Sequence, residues 1–319
     1  MHLYFAPIQG YTTALYRRMH HTIWGGISYY YTPFVRIEKG EFRKRDIADI
    51  APENNTATPV VPQMLPRDSE ELKRLTELFM LNGYRQADIN MGCPFPPVAL
   101  HGRGSGLLPL KERVAELMDA TKSYPEMAFS VKMRLGWQSP DEWKEIIEVL
   151  NEAPLTHITI HPRIGKQQYK GSVDMNGFDE FYHRCTHPVI YNGDMESVAD
   201  IRAIAAEYPQ LGGIMIGRGL LARPYLTRLL QENTSYNQSS IIEETYKFHQ
   251  AIYAHLETTS QGNSQLMQRL HAQWEYLLPN APHKERKAII KSSNPRQYIE
   301  AVEKLFDKWL SQSREESCL

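Results

Sequence analysis

The stretch Asp88-Ile89-Asn90-Met91-Gly92-Cys93-Pro94 decides the fold of this chain. The apolar run at residues 87–89 is typical of the end of a buried strand, and Asn90 and Gly92 are residues that end one. Pro94 cannot donate to a strand ladder or readily continue a helix, so the chain must turn here. The cysteine therefore lies in a loop just past the carboxyl end of a strand. In a β/α barrel, that edge carries the chemistry.

Similar strand-like segments recur on both sides of this stretch and alternate with helical patterns. The segments rich in apolar, β-branched and aromatic residues are 3–7, 28–35, 58–65, 86–90, 128–133, 156–161, 188–191 and 213–216. Between them, Asp68 with Glu71 and Ser139 with Glu142 predict two helix starts. Eight such units in sequence predict an α/β protein with a (β/α)8 TIM barrel.

The composition changes near residue 231. Residues 231–240 are polar without periodicity and predict a linker, and no strand pattern returns after them. Helical patterns follow at 241–256, at 265–278 and after Asn294. We therefore predict a catalytic TIM barrel over residues 1–235, a small C-terminal helical bundle over 240–311, and a tail over 312–319.

Bulk properties narrow the class of protein. The 319 residues carry a net charge of −1 with 42% hydrophobic and 23% charged residues, which is ordinary for a globular protein. Nucleic-acid binding would therefore need a local basic patch. The three cysteines are widely spaced, which predicts neither a disulfide framework nor a metal site. No signal peptide or membrane-length apolar run is present, so we expect a cytoplasmic protein.

Five of the predicted strands carry polar or glycine residues at or just past their ends. These residues are Cys93, Lys132, His161, Asn192 with Gly193, and Gly217 with Arg218. Because the carboxyl ends of parallel barrel strands meet at one rim, we expect these groups to face a common site. A barrel built only for stability does not require cationic and polar groups at these points.

The last two loops favour a phosphate-bearing ligand. Gly193 and Gly217 allow close approach to backbone N–H groups, and Arg218 can pair with a phosphate. Either glycine alone could simply form a tight turn. Lys132 needs an anionic partner at a strand end, which could be a ligand or a structural carboxylate such as Asp88.

These motifs, in this order, resemble those of the tRNA-dihydrouridine synthases, flavin enzymes that reduce uridines in tRNA. The matching segments are 6–10, Gln63, 90–94, 104–108, 130–136, 161–163, 192–194 and 217–219. Each is weak alone, but together they cover the barrel, whereas the helical region matches only in kind. Pro162 departs from the His-Gly-Arg-Thr pattern that the family more often has.

The resemblance implies bound FMN, NADPH as the reductant and Cys93 as the proton donor to the uracil ring. A general acid must stay a thiol near pH 7, which an ordinary cysteine pKa of about 8.5 allows. The residues expected to bind the cofactor are Pro7, Ile8, Gln9, Gln63, Lys132, His161, Asn192, Gly193, Asp194, Gly217 and Arg218.

The resemblance also implies tRNA as the partner of an expected monomer. The residues predicted to contact tRNA are Asn90, Arg103, Arg134, Arg163 and Lys170 near the rim and Lys284, Arg286, Lys287 and Lys291 in the bundle. Two alternatives stay open. One is an FMN-dependent barrel oxidoreductase that acts on a small pyrimidine such as dihydroorotate, and the other is an RNA-binding barrel without catalysis.

Overall fold

The computed structural model describes residues 1–231 and 237–317, with side chains up to residue 313. The chain forms two compact units. The first comprises Met1–Ala14, Ile27–Met195 and Ala199–Gly217. The second comprises Leu15–Gly26, Glu196–Val198 and the chain from Arg218 onward.

The first unit contains all eleven strands of the described residues. They are β1 (Leu3–Phe5), β2 (Tyr29–Tyr31), β3 (Ile37–Glu38), β4 (Glu41–Phe42), β5 (Val60–Val61), β6 (Gln63–Met64), β7 (Gln86–Met91), β8 (Ala128–Gly136), β9 (Leu155–Ile164), β10 (Val189–Tyr191) and β11 (Gly213–Ile216). Nine of them form a parallel sheet in the order β5-β2-β1-β11-β10-β9-β8-β7-β6, and β3 pairs antiparallel with β4.

The sheet is a nearly closed barrel. Its two end strands, β5 and β6, are consecutive in the chain and flank Pro62, which has no N–H to donate to a ladder. They act as one interrupted strand, and a bridge between Val35 and Met64 ties β6 to the segment after β2. Eight strand positions result, which confirms the predicted TIM barrel.

The helices alternate with these strands and then continue alone. They are α1 (Ala14–Ile23), α2 (Lys44–Ile50), α3 (Ser69–Leu81), α4 (Pro96–Ala99), α5 (Lys111–Thr121), α6 (Glu142–Asn151), α7 (Met175–Arg184), α8 (Val198–Glu207), α9 (Arg218–Ala222), α10 (Leu226–Gln231), α11 (Gln238–Thr259), α12 (Gly262–Gln273), α13 (His283–Lys291) and α14 (Pro295–Ser317). None in the described ranges has the length and apolar character of a membrane span.

Side chains fill the interior of the barrel. One buried cluster combines Tyr4 and Tyr31 with Ala6, just past β1, and with apolar residues from β5, β10 and β11. Each large apolar side chain buried in this way stabilises the fold by roughly 1.5–3 kcal/mol. The Tyr31 hydroxyl also hydrogen-bonds His157 Nε2 at 2.9 Å, so the packed interior is partly polar.

The two predicted helix starts have different outcomes. The prediction at Asp68 is confirmed, because its side chain accepts a hydrogen bond from Glu71 N at 3.0 Å and α3 starts at Ser69. The prediction at Ser139 is wrong, because α6 starts at Glu142. The Glu142 carboxylate instead accepts from three backbone N–H groups of residues 137–139, at 2.6–3.1 Å.

The second unit is helical throughout its described residues. Tyr298 lies at its centre, where its hydroxyl accepts a hydrogen bond from Trp274 Nε1 at 2.7 Å and bonds His249 Nε2 at 2.7 Å. Tyr16 of α1 packs edge-on against Phe248 of α11, with ring centroids 5.2 Å apart. The helix α14 runs to Ser317, past the predicted end of the bundle. Residues 232–236 of the predicted linker and Cys318 lie outside the described residues.

Candidate active site

The backbone around Cys93 is held on both sides. Asn90 Oδ1 accepts hydrogen bonds from Gly92 N at 3.0 Å and from Cys93 N at 2.8 Å. The Cys93 carbonyl oxygen accepts from Ser105 N at 3.1 Å and from Ser105 Oγ at 2.9 Å. The half-buried thiol therefore projects from a fixed loop just past β7.

Burial raises the pKa of the Cys93 thiol above its usual value. Hydrogen bonding to the Phe95 backbone and the nearby charge of Arg134 offset part of that rise. A thiol with a raised pKa stays protonated at neutral pH, so Cys93 suits a proton donor better than a nucleophile.

The 3-10 turn Gly104–Leu107 packs directly against this loop. Gly104 has a φ of +56°, and a Cβ there would lie 2.8 Å from both Cys93 Cβ and the Cys93 carbonyl oxygen. Only glycine fits that conformation and that distance. The glycine motif that follows the cysteine in the sequence therefore helps to hold the Cys93 loop in place.

A buried polar network lies beneath the same loop. The Asp88 carboxylate accepts from Gln63 Nε2 and from Ser130 Oγ, each at 2.7 Å. Gln63 Oε1 in turn accepts from Asn90 Nδ2 at 2.7 Å. All four side chains are at most 7% exposed. The network thereby links Gln63 and Asn90 to the backbone of Cys93. Their predicted contacts with the cofactor and with tRNA stay predictions.

Lys132 at β8 is a cation in low-dielectric surroundings. Its Nζ donates to Asn192 Oδ1 at 2.7 Å, and Asn192 Nδ2 donates to Met215 O at 2.8 Å. Burial lowers the pKa of Lys132 to about 8, with the Arg134 charge acting in the same direction and Asp88 against it. An ammonium group has three donors, and a neutral amide oxygen does not neutralise it, so an anionic ligand would fit here.

His161 is hydrogen-bonded to Arg163, two residues further along β9. Arg163 Nη1 donates to His161 Nε2 at 3.0 Å. Because a guanidinium can only donate, that ring nitrogen is the unprotonated acceptor. Arg163 also forms a forked ion pair with both carboxylate oxygens of Asp194, at 3.0 and 2.5 Å, and donates to Gly171 O at 2.7 Å.

Arg134 and Arg163 differ from the exposed arginines that the tRNA prediction requires, since both are 2% exposed. Arg134 donates to the carbonyl oxygens of Gly92, Ile164 and Gln168 at 2.7–3.0 Å. Its guanidinium also lies 5.4 Å from the ring centroid of Tyr169. These contacts give both arginines partners inside the barrel rather than a free surface.

The remaining predicted contacts in the first unit divide between paired and exposed groups. Arg103 forms an ion pair with Glu71, with its Nη1 2.5 Å and its Nη2 2.7 Å from the carboxylate oxygens, and it also donates to Leu65 O. Lys170 is exposed. Of these two residues, Lys170 presents its positive charge to solvent, whereas that of Arg103 is paired with Glu71.

The loop after β1 has a feature that fits a ligand. Thr12 Oγ1 accepts from Ile8 N at 2.8 Å, which closes the turn that contains Pro7 and Gln9. Gln9 Oε1 is buried and has no hydrogen-bond partner within the described residues. A buried acceptor without a donor costs free energy, so a ligand with an N–H group would satisfy it.

The two glycines predicted to approach a phosphate lie in close surroundings. A Cβ at Gly217 would be 3.4 Å from Ala6 Cβ and Ile8 Cδ1, and one at Gly193 would be 2.9 Å from Val173 Cγ1. A side chain would clash with Val173 at Gly193, and would press against Ala6 and Ile8 at Gly217. Arg218 begins α9 in the second unit, so its predicted role at the phosphate stays a prediction.

The basic cluster of the second unit lies on and around α13. Lys284, Lys287 and Lys291 are exposed. Arg286 is half-buried and donates to the backbone carbonyl oxygens of Trp274 and Leu277, so it supports the fold. Glu285, the one acid in the cluster, is paired with Lys308 at 2.9 Å. The three lysines therefore keep their positive charge exposed.

Sequence reasoning missed Asp88 and Ser130 as a pair that supports the site. The signal was present, because Asp88 and Asn90 alternate on β7 while Ser130 and Lys132 alternate on β8. In a barrel, such alternating residues point inward together. In the ranges that the structure describes, no cluster of three or more His, Cys, Asp or Glu side chains could hold a metal ion.

Comparison with known proteins adds independent findings. A family model described as dihydrouridine synthase (Dus) matches residues 4–309. The tRNA-dihydrouridine synthase B of Proteus vulgaris is 27% identical over 255 residues, which is 78% of each chain. The tRNA-dihydrouridine(16) synthase of Haemophilus ducreyi is 28% identical over 259 residues, covering 76% of this chain and 77% of that protein.

Solved structures resemble the fold at low sequence identity. Morphinone reductase aligns with a TM-score of 0.52 at 9% identity, covering 73% of this chain and 86% of that one. A 2-naphthoyl-CoA reductase aligns with a TM-score of 0.53 at 10% identity, covering 72% of this chain and 49% of that one. These likenesses show the barrel fold alone.

Proposed function

This chain belongs to the dihydrouridine synthase family, and from that premise we propose that it reduces the C5–C6 double bond of uridines in tRNA. The observation that carries the proposal is the position of the Cys93 thiol, which a fixed loop holds at the rim that also carries Lys132 and His161, and whose pKa is raised by burial. The printed names of the relatives supply the substrate class.

The residues present fit a flavin cofactor. Lys132 offers a half-buried positive charge, and Gln9 Oε1 offers an unsatisfied acceptor. Gly193 and Gly217 carry no side chain that would shield their backbone N–H groups from a phosphate. We propose that these residues, with Pro7, Ile8, Gln63, His161, Asn192, Asp194 and Arg218, hold FMN. Bound FMN, reduced again by NADPH, supplies the hydride that the uracil C6 receives.

Within this reaction, Cys93 delivers the proton. The S–H bond breaks, a C5–H bond forms, and the thiolate takes a proton from solvent before the next turnover. The raised pKa of the thiol keeps the acid protonated at neutral pH, and the negative charge that develops on the ring supplies the driving force for the transfer. The fixed loop backbone supplies the orientation that makes this transfer efficient.

Arg134 and Arg163 have a supporting role in this scheme. Arg134 ties Gly92 to the last residue of β9, and Arg163 links His161 to Asp194. Direct contact with tRNA falls instead to Lys170 and to Lys284, Lys287 and Lys291. A tRNA substrate and free thiols at Cys93 and Cys185 are consistent with a cytoplasmic location, which we propose as well.

The test is spectroscopic. Purified protein, supplied with FMN where needed, should show flavin absorbance that bleaches with NADPH and returns anaerobically on addition of unmodified tRNA. Return of the absorbance with a free pyrimidine instead would support the small-molecule alternative. Failure to bind FMN at all would contradict the proposal.

Substitution of Cys93 tests its role separately. Cys93→Ala should keep NADPH-dependent bleaching, while tRNA-dependent recovery falls by about 100-fold or more, the range for loss of a general acid. Cys185→Ser, at the other described thiol, is the matched control and should leave both rates unchanged. Normal recovery in Cys93→Ala would assign the proton to another group.

A further inference from the structure

Asp88 is a fully buried carboxylate that the proposed chemistry does not use. It lies on β7 inside the barrel with 0% exposure, and burial raises its pKa to about 6. Its two oxygens accept from Gln63 Nε2 and Ser130 Oγ. The surrounding charged and titratable groups are Lys132 on β8 and the Tyr31 hydroxyl on β2. Burial of an ionisable group at this depth costs free energy, so we expect its hydrogen bonds to have a structural or functional role.

A chain of hydrogen bonds leads from Asp88 through Gln63 and Asn90 to Cys93, and each donor and acceptor in it has a fixed orientation. An ionised carboxylate can only accept, so the NH2 end of Gln63 must face it and Gln63 Oε1 must face away. That oxygen can only accept, so the NH2 end of Asn90 must face Gln63. Asn90 Oδ1 is then turned toward the N–H groups of Gly92 and Cys93.

Reversal of either amide would break this chain of hydrogen bonds. A flipped Asn90 would place its NH2 against the N–H of Cys93, and two donors cannot bond each other. Each amide nitrogen also has a second hydrogen without an acceptor among the described residues. The same orientation therefore leaves a donor, not an acceptor, on Gln63 and on Asn90.

We propose that Asp88 is a positioning residue: by acting only as an acceptor, it fixes the amide orientations of Gln63 and Asn90 and so holds the Cys93 loop. This role rests on the proposed function of Cys93 for its catalytic meaning. The orientation itself depends on no cofactor or substrate, so it can be measured separately from turnover.

The measurement is the alkylation rate of Cys93 by iodoacetamide at pH 8 in the full-length protein. Cys185→Ser and Cys318→Ser are introduced in all samples so that Cys93 is the only thiol. Asp88→Leu removes the acceptor at similar size and should raise the rate about tenfold, since a freed loop exposes the thiol and lost hydrogen bonds of this kind are worth that factor. The kcat for tRNA reduction should fall while the KM for tRNA stays unchanged.

A conservative variant separates orientation from charge. In Asp88→Asn, the new amide can accept from Gln63 and donate to Ser130 Oγ, so the alkylation rate should stay within about twofold of the parent. Thr159→Val is the matched control in the barrel interior, because its buried hydroxyl has no hydrogen-bond partner in the described chain. It should leave the rate unchanged.

Two results of these alkylation measurements would contradict the proposed role of Asp88. Equal rates in Asp88→Leu and Thr159→Val would overturn the proposal, and so would an Asp88→Asn rate as high as that of Asp88→Leu. If Asp88→Leu does not fold, Gln63→Met interrupts the same chain one step later and should show the same rise. If the parent protein does not reduce tRNA, the proposed function fails, yet the alkylation rates still decide whether Asp88 orients the loop.

Discussion

At the scale of single residues, the site contains a charged group, the Lys132 ammonium, whose burial destabilises the fold. Lys132 has a pKa of about 8 in the folded chain against 10.5 in the unfolded chain, because burial disfavours its charged form. Between those two values the unfolded chain binds more protons, so stability rises with pH there. Below about pH 8 both states are charged, and the folded state bears the full cost of the buried ammonium.

Removal of that charge should therefore stabilise the flavin-free protein. We expect Lys132→Met to raise the melting temperature at pH 7 by about 2–4 °C, partly offset by the loss of the Asn192 hydrogen bond. The gain should shrink as the pH rises from about 8 toward 10.5. Thermal melts at a series of pH values measure this difference.

The matched control is Lys73→Met, at an exposed position on α3. It should leave the melting temperature unchanged at every pH. A gain in Lys132→Met that does not depend on pH would show that the side chain is destabilising through packing and not through its charge.

Single residues also mark the limit of what the sequence predicts. The positions of Cys93, Gln63 and Asn90 followed from strand ends and motif order, but the burial of Arg134 and Arg163 did not. The reason is strand length, since β8 and β9 continue to Gly136 and Ile164, past the predicted ends at 133 and 161. Residues expected on loops thus lie within strands, and strand ends are the least certain feature of a sequence pattern.

At the scale of elements, the Cys93 loop and the turn Gly104–Leu107 act together. Gly104→Ala should destabilise the protein by about 2 kcal/mol or more, because the new Cβ clashes with Cys93 and the φ of +56° is unfavourable for alanine. Urea unfolding measures the loss. The alkylation rate of Cys93 should change in the same variant.

Gly40→Ala provides the comparison. Gly40 has a φ of +83°, but a Cβ there would have nothing within 4 Å. The Gly40→Ala variant therefore has the conformational cost without the clash, and it should leave the alkylation rate of Cys93 unchanged. Equal losses in the two variants would mean that the contact with Cys93 contributes nothing.

Elements were predicted from sequence where one pattern was strong. The strands and α3 followed from apolar alternation and the Asp68 cap, whereas β3, β4 and α2 were missed because they are short and polar. The hydrogen bonds predicted for the start of α6 are present, since Ser139 N donates to the Glu142 carboxylate and Ser139 Oγ accepts from Asp141 N. The regular helix nevertheless begins only at Glu142. A local motif predicts such hydrogen bonds but not the residue at which regular helical geometry begins.

At the scale of the whole molecule, a net charge of −1 gives no general attraction to RNA. Affinity for tRNA must then come from local patches such as the exposed lysines of α13. Substitution of Lys284, Lys287 and Lys291 by alanine together should weaken tRNA binding and lower the slope of log K against log salt by about 2–3. Fluorescence anisotropy over a range of KCl concentrations measures the slope.

The control for that variant removes the same charge elsewhere. Lys73, Lys111 and Lys122 are exposed residues of the first unit, and their triple alanine variant should leave the salt slope unchanged. Both variants should keep NADPH-dependent flavin bleaching. An equal loss of slope in the two variants would mean that RNA is attracted by total charge and not by α13.

The pairing of β1 with β11 has a consequence for how the protein is made. Leu3 lies beside Ile214 in the ladder, so the second neighbour of β1 is more than two hundred residues away. At a ribosome speed of about 5–20 residues per second, the first strand waits roughly 10–40 s for that neighbour. During this time the nascent chain exposes an apolar strand edge, which makes it a natural client for chaperones that bind emerging polypeptides.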